Sequence, residues 1–173
     1  MVFVSFIDLF GQQYAFVNFT LEKSLPGNQI WTIYQDSKGF MWFATTAGLI
    51  RHDGEKHVIY NETNGLTSYF AYNVDEDSKG NVWIGSPGGI SKFNLDSKSI
   101  QSIQIGGFNN SYKVFVDSYD RVWIYDFQLP GDVFVYEDDS LYNYSRDYSF
   151  HKQRILHIEQ DREGMLYLLN REF

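Results

Sequence analysis

Residues 77–83 read Asp-Ser-Lys-Gly-Asn-Val-Trp, and residues 36–42 carry nearly the same phrase as Asp-Ser-Lys-Gly-Phe-Met-Trp. A third copy stands at 117–123 as Asp-Ser-Tyr-Asp-Arg-Val-Trp, and a fourth at 161–167 as Asp-Arg-Glu-Gly-Met-Leu-Tyr. The last residues of these copies lie 41, 40 and 44 positions apart. A repeat of about 40 residues is long enough for one four-stranded sheet. The chain is therefore predicted to be a repeat protein whose unit is a small sheet.

Around each copy the apolar residues alternate over short runs, which is the period of a β-strand. In the first unit, four strands can be placed at about 28–35, 40–45, 49–52 and 57–60. The links between them are short, so neighbouring strands are predicted to pair antiparallel. The Asp-Ser-Lys-Gly segment suits a hairpin, because Asp can bond its own backbone and Gly accepts a positive φ.

A sheet that is apolar on both faces must be covered on both sides, and radial stacking of such sheets provides the cover. We therefore predict an all-β fold, a β-propeller built of four-stranded antiparallel blades. The chain would hold about three complete blades plus parts of a fourth, which is an incomplete propeller. The partial propeller is predicted to span residues 14–173, with blades at about 28–60, 69–105 and 110–144 and a partial blade at 153–173.

Two sets of large residues are predicted to fill the space between the blades. One set is formed by Trp42, Trp83 and Trp123, although a tryptophan on a ligand-binding face would give the same sequence pattern. The other set contains branched and aromatic residues at aligned strand positions: Ile33, Phe43, Val74, Ile84, Val114, Ile124, Ile158 and Leu168.

Composition excludes several classes of function. The 173 residues contain no cysteine, which excludes disulfides and thiolate metal sites. A net charge of −8 with scattered Lys and Arg makes nucleic acid a poor partner. Residues 1–13 lack a basic start and their apolar part is too short to span a bilayer, so no membrane insertion is predicted. They are compatible with a tail, an edge strand or the remnant of a secretory signal.

Residues 35–54 resemble the first blade of the two-component regulator propeller family. In that family the repeat reads Asp-x-x-Gly-x-hydrophobic-Trp-hydrophobic-Gly-Thr, followed by Gly-Leu-x-Arg-aromatic-Asp. The second copy also matches, through Asp77, Gly80 and Trp83. Later copies depart from the pattern, since Asp120 replaces the turn glycine and Tyr167 replaces the tryptophan.

The resemblance implies the periplasmic sensor region of a membrane-bound histidine kinase, often a hybrid one, from Bacteroidetes. In several branches of the family the signal is an oligosaccharide released from a polysaccharide. The resemblance also implies that residues 14–20 form the outer strand of a closing blade. No kinase or receiver domain can be read in the sequence, so the chain is expected to be a truncated fragment of a sensor that is not itself an enzyme.

In a propeller, the connections between blades and the connections between second and third strands emerge on one face, where ligands usually bind. Aromatic rings stack on the apolar faces of a sugar, and amides or arginine satisfy its hydroxyls. The alternative is that these aromatic residues only plug the channel or cap the blades. The predicted ligand-binding residues are Trp31, Thr46, Tyr69, Phe70, Tyr72, Asn110, Tyr112, Gln128 and Arg154.

No cofactor, metal site or catalytic residue is predicted. Residues 75–80 are acidic, but Lys79 stands where a calcium loop needs an oxygen ligand, and the histidines have no metal-ligand spacing. The acidic residues 137–139 fit a solvated hairpin. Two alternatives to a sensor remain open. One is a propeller enzyme such as a polysaccharide lyase or glycoside hydrolase, which would require acids converging on the channel face, and the other is a protein-interaction scaffold.

Open blade edges at the two ends of the partial propeller predict self-association. Unpaired strand edges offer backbone donors and acceptors to a second chain. We therefore expect a homo-oligomer formed through these edges, in addition to an oligosaccharide or other small ligand as a partner.

Overall fold

The computed structural model describes residues 29–145 and 153–171. Within these ranges the chain is mainly β-strand, with a short 3₁₀ turn at Glu62–Asn64. The expectations for residues 1–13 and 14–20 fall outside the described residues. No helix in the described ranges is long and apolar enough to cross a bilayer.

The strands form three four-stranded sheets and one two-stranded sheet, which we number 1 to 4 in chain order. In each sheet the strands follow one another in sequence order and pair antiparallel. Sheet 1 contains β1 (Ile30–Gln35), β2 (Met41–Thr45), β3 (Gly48–His52) and β4 (His57–Tyr60). Sheet 2 contains β5 (Asn73–Glu76), β6 (Asn81–Ser86), β7 (Gly89–Asn94) and β8 (Ile100–Gln104). Sheet 3 contains β9 (Tyr112–Val116), β10 (Val122–Asp126), β11 (Val133–Glu137) and β12 (Ser140–Asn143), and sheet 4 contains β13 (Arg154–Gln160) and β14 (Leu166–Arg171). The predicted all-β fold of four-stranded antiparallel blades, three complete and one partial, is confirmed.

The repeated Asp and Trp are joined by a hydrogen bond in each of the first three copies of the motif. In sheet 2 the Nε1 of Trp83 donates to Oδ2 of Asp77 at 2.9 Å, while Oδ1 accepts from the backbone N–H groups of Lys79 and Asn81. One buried carboxylate thus fixes both the hairpin and the indole, and the acidic segment 75–80 consists of the end of β5 followed by a hairpin turn at 77–80. The corresponding indole bonds are Trp42 to Asp36 at 2.7 Å and Trp123 to Asp117 at 2.8 Å. In the fourth copy the hydroxyl of Tyr167 donates to Asp161 at 3.1 Å.

The tryptophan face of each complete sheet packs against the following sheet. Trp42 shares a buried cluster with Val74 and Ile84 of sheet 2. The same arrangement joins sheet 2 to sheet 3 and sheet 3 to sheet 4. The indoles of Trp42, Trp83 and Trp123 are 0%, 2% and 2% exposed. The three indoles therefore fill the space between blades and do not lie on a ligand-binding face.

One of the predicted inter-blade residues is largely exposed. Ile33 is 57% exposed, whereas the aligned residues Val74, Val114 and Ile158 are at most 4% exposed. Ile33 lies on the face of sheet 1 that points away from sheet 2, and no preceding sheet exists in the described ranges to cover it. The prediction that Ile33 packs between blades is therefore wrong, because burial at this position depends on a neighbouring sheet.

In each complete blade, the serine of the first hairpin turn also donates a hydrogen bond to the following blade. Ser37 donates from its N–H and its hydroxyl to Glu76, each at 2.7 Å. Ser78 does the same to Asp120, at 2.8 and 2.5 Å, and the N–H of Ser118 donates to Gln160 at 2.8 Å. We call these hydrogen bonds from a turn serine to the next sheet clasps. They hold adjacent sheets together at the end opposite to the inter-blade connections.

The clasp on Asp120 predicts a pH-dependent contribution to stability. The Ser78 hydroxyl, and next its N–H, hold the pKa of Asp120 below the ordinary 3.8. Such a carboxylate stabilises the fold above its unfolded pKa, and the contribution is lost as the pH falls through the folded value. Asp120→Asn, which tolerates the φ of 62° found here, should lower the free energy of unfolding at neutral pH by about 0.2–1 kcal/mol. Urea denaturation at several pH values should show this difference vanishing in acid, and a difference independent of pH would contradict the clasp.

Candidate functional site

Three aromatic rings meet on the face that carries the inter-blade connections. The ring centroids of Trp31 and Tyr72 are 5.5 Å apart with an edge-to-face orientation, and those of Tyr72 and Phe127 are 5.0 Å apart. Trp31 and Phe127 complete the triangle at 6.5 Å. We call these three residues the aromatic triad. It joins sheets 1, 2 and 3 at one point.

Hydrogen bonds hold Tyr72 and the residue next to Trp31 in place. Thr32, next to Trp31, donates its hydroxyl to the carbonyl of Tyr72 at 3.0 Å. The N–H of Tyr72 donates to Gly85 at 2.8 Å, and its hydroxyl accepts from Ser111 at 3.2 Å. Trp31 stays 39% exposed. The triad is thus held by hydrogen bonds around Tyr72, and Trp31 is its most exposed ring.

Phe127 begins the connection between β10 and β11, and several bonds hold that loop. Its N–H donates to Ser111 at 3.1 Å, and its carbonyl accepts from Nε of Arg154 at 2.9 Å. The side chain of Asp126 accepts the N–H groups of Gln128 and Leu129. The ammonium group of Lys113 lies 4.7 Å from the centre of the Phe127 ring, and burial lowers the pKa of this lysine.

Polar groups surround the triad near Phe127. Gln128 is exposed and follows Phe127 directly. Asn110 donates to the Asp126 carboxylate at 3.0 Å, which leaves its side-chain carbonyl as an acceptor. Arg154 uses Nε for the loop, so its other N–H groups can serve a ligand. The predicted residues Trp31, Tyr72, Asn110, Gln128 and Arg154 are therefore brought to one area.

Tyr112 does not belong to this area, although it was predicted there. Its ring is 4% exposed and packs in the cluster of Trp83 and Val114, and burial raises its pKa to about 12. The connection before β9 covers it, since a Cβ on Gly106 would lie 2.6 Å from its hydroxyl. The structure therefore corrects the prediction for Tyr112, which is a core residue.

The remaining predicted residues lie on the same face without joining the triad. The N–H of Ala71 donates to the carbonyl of Thr45 at 3.0 Å, which places the neighbouring Tyr69 and Phe70 near the end of β2. Both rings are exposed, and no ring contact within the described ranges links them to the triad. Thr46 is half-buried and donates its N–H to Gln29.

Sequence reasoning missed two members of the site. Phe127 lies in a loop that was recognised as part of the face, but the residue itself was not selected, and Lys113 was not considered. A signal for Phe127 exists in the sequence, because the loop from β10 to β11 is longer than the corresponding loops of sheets 1 and 2. Lys113 offers no comparable signal, since its ring contact depends on how the loop folds back.

The inner strands of the four sheets line an open cleft of about 290 Å³ next to the triad. Asp75, Lys113, His157 and Glu159 line it. Burial raises the pKa of Asp75, yet its carboxylate already accepts the N–H of Val116 at 2.7 Å and that of the adjacent Glu76 at 2.9 Å. The Asp75 carboxylate therefore joins two blades. Among the described residues, no group of three His, Asp or Glu side chains is placed to hold a metal ion.

Comparison with known proteins agrees with this architecture. Residues 24–47 match the model of the two component regulator propeller family. The resemblance seen in the sequence is thereby confirmed for the first repeat. No curated protein matches the chain in sequence.

Solved structures share the fold at low sequence identity. The extracellular domain of BT4673 from B. thetaiotaomicron, assigned to a one component system, superimposes with a TM-score of 0.72 at 21% identity over 88% of this chain. The extracellular domain of BT3049 from B. thetaiotaomicron, assigned to a hybrid two component system, gives 0.65 at 15% identity over 88%. Virginiamycin B lyase from Staphylococcus aureus gives 0.64 at 13% identity over 84%. This chain spans 22%, 20% and 50% of those structures.

Proposed function

We propose that the chain is a ligand-sensing propeller segment of an extracytoplasmic sensor in a two-component system, and that its signal is a carbohydrate. The match to the regulator propeller repeat supports the sensory role. The likeness to extracellular domains of B. thetaiotaomicron supports a periplasmic location and an origin in Bacteroidetes. In this proposal the segment binds and does not catalyse, and a histidine kinase elsewhere in the parent protein carries the signal onward.

The aromatic triad is the single observation that carries the carbohydrate proposal. Aromatic faces pack against the C–H faces of a sugar, and nearby amides and cations bond to hydroxyls. Trp31 offers an open ring, while Gln128 and Arg154 offer polar groups beside it. Because the triad joins three sheets, a ligand seated on it would contact several blades at once. Such a ligand could stabilise one relative position of the blades, which is what a sensor requires.

The proposal predicts that Trp31→Ala weakens carbohydrate binding by about tenfold or more, because a hot-spot aromatic is worth more than about 1.4 kcal/mol. Binding would be measured by isothermal titration calorimetry with short cello-, xylo-, manno- and galacto-oligosaccharides. Tyr119→Ala is the matched control, since Tyr119 is 69% exposed and lies in a hairpin turn at the opposite end of the blades.

The same titrations distinguish the alternatives. Unchanged affinity of the Trp31 variant for a probe that the unmodified protein binds would contradict the assigned site. Failure of every oligosaccharide to bind would contradict the carbohydrate proposal. Release of shortened or unsaturated sugars would show that the propeller is an enzyme, and the acids of the channel would then be the residues to test.

A further inference from the structure

Two cationic side chains from neighbouring sheets contact Phe127, one member of the aromatic triad. The ammonium group of Lys113, on β9 of sheet 3, lies 4.7 Å from the centre of the Phe127 ring. Nε of Arg154, on β13 of sheet 4, donates to the Phe127 carbonyl at 2.9 Å. We call Lys113 and Arg154 the basic pair. Positive charge is therefore concentrated beside one ring of the triad.

Described sheets on both sides set the surroundings of Lys113. It lies on the innermost strand of sheet 3, which packs against sheet 2 on one side and sheet 4 on the other. The side chain of Asn73 on sheet 2 bonds to the carbonyl and the N–H of the adjacent Val114, at 2.6 and 2.9 Å. The half-buried position of Lys113 is thus fixed by strands that the structure describes on either side of it.

The basic pair has no acidic partner in the part of the chain that the structure describes. Neither cation forms an ion pair there. Asp126 precedes Phe127, but four N–H donors already occupy its two oxygens, which is about all that a carboxylate can accept. Burial lowers the pKa of Lys113, as expected for an ammonium group that no carboxylate neutralises.

The acids of the adjacent cleft lie further along the inner strands. Asp75 bonds to the N–H of Val116, which is three residues beyond Lys113 and so roughly 10 Å further along β9. Glu159 is five residues beyond Arg154, roughly 15 Å along β13. The cleft is therefore basic at the end beside the triad and acidic towards the hairpin turns.

We propose that the carbohydrate bound at the triad carries an acidic group, a carboxylate or a sulfate, and that Lys113 and Arg154 bind this group. The inference rests on the carbohydrate-sensing role proposed above. The ammonium group and the guanidinium N–H groups that the loop does not use donate to the acid oxygens. Such charge-assisted bonds are about twice as strong as bonds to a neutral group, so the acidic group sets the selectivity.

The triad and the basic pair are close enough to serve one short oligosaccharide. The ring centres of Trp31 and Phe127 are 6.5 Å apart, and the Lys113 ammonium group lies 4.7 Å from the Phe127 ring. One sugar unit can therefore pack on the Trp31 ring while the acidic group of the same or the next unit reaches Lys113. A neutral sugar would leave the half-buried ammonium group without a counter-charge, which is unfavourable.

The test compares acidic oligosaccharides with neutral forms of the same skeleton by isothermal titration calorimetry. One pair is trigalacturonic acid and its trimethyl ester, and the other is monosulfated and unsulfated galactobiose. The unmodified protein should bind the acidic member of at least one pair about tenfold or more tightly than the neutral member. The pair that shows this preference distinguishes a carboxylate from a sulfate.

Two lysine variants assign the preference to its residue. Lys113→Met keeps the length of the side chain and removes its charge, so the preference should fall by about tenfold while the affinity for the neutral form stays the same. That unchanged affinity also shows that the variant is folded. Lys79→Met is the matched control, because it removes the same charge from an exposed hairpin turn at the opposite end of the blades. It should keep the full preference.

The other outcomes overturn the proposal, and they separate it from the carbohydrate-sensing role. Equal affinity of the unmodified protein for the acidic and neutral forms of both pairs would exclude an acidic ligand and leave the sensing role standing. A preference that persists in Lys113→Met would show that Lys113 does not bind the acid. If no acidic form binds, this proposal falls, and the titrations with neutral oligosaccharides decide separately whether the sensing role falls with it.

Discussion

Replacing Trp83 by alanine is expected to lower the free energy of unfolding by about 3–5 kcal/mol. The indole is 2% exposed and packs in one cluster with Val114 and Ile124 of the following sheet. Its removal leaves a cavity between two blades and deprives the Asp77 carboxylate of its indole donor. Since the free energy of unfolding of a small domain is only about 5–15 kcal/mol, this loss would remove a large part of the stability of the fold.

Urea denaturation followed by circular dichroism would measure the loss. Trp83→Phe keeps an aromatic ring between the sheets but loses the hydrogen bond to Asp77, so it should be destabilised less than Trp83→Ala. Tyr119→Ala removes an aromatic residue that is 69% exposed and should change stability by no more than about 0.5 kcal/mol. Equal effects of the Trp83 and Tyr119 replacements would be incompatible with inter-blade packing of the indole.

Gly85→Ala is expected to have the next largest effect, about 1–3 kcal/mol or more. A Cβ at this position would lie 2.5 Å from the carbonyl oxygen of Tyr112 and 2.8 Å from the Cα of Lys113. Both atoms belong to the backbone of β9, so a side-chain rotation cannot relieve the clash. Sheets 2 and 3 would have to move apart, and the contacts of Trp83 would weaken with them.

A second glycine gives a matched control for this substitution. A Cβ on Gly107 would meet nothing within 4 Å, and its φ does not require glycine. Gly107→Ala should therefore leave stability unchanged or raise it by about 0.4–1 kcal/mol through the unfolded chain. If the two alanine variants had the same stability, the close approach of sheets 2 and 3 at Gly85 would be contradicted.

The sequence predicted those parts of the fold that depend on short-range patterns. Strand alternation and the Asp-Ser-Lys-Gly turns lie within one unit, so the strands of sheet 1 and their order could be inferred from the chain alone. The burial of Trp42 also followed, because all copies of the motif share the same strand position. Contacts between units could not be predicted in this way. The clasp from Ser78 to Asp120 requires the relative position of two blades, which no pattern within one repeat contains.

Tyr72 and Tyr112 show why the site could be predicted only in part. Both stand at the same repeat position as Trp31, so the sequence alone gives no reason to distinguish them. Tyr72 joins the aromatic triad, whereas the connection containing Gly106 lies over Tyr112 and buries it. Whether a loop covers a ring depends on how that loop folds, and this information is not local. The same reason explains why Phe127 was not selected.

Burial of the repeated tryptophans between blades can be tested most directly by NMR measurement of indole N–H exchange. The chain contains four tryptophans, whose signals can be assigned by single Trp→Phe variants. Trp42, Trp83 and Trp123 are buried and donate to carboxylates, while Trp31 is 39% exposed. We expect three indole protons that exchange slowly and one, from Trp31, that exchanges rapidly. Exchange of all four at the same rapid rate would contradict the blade-to-blade packing described here.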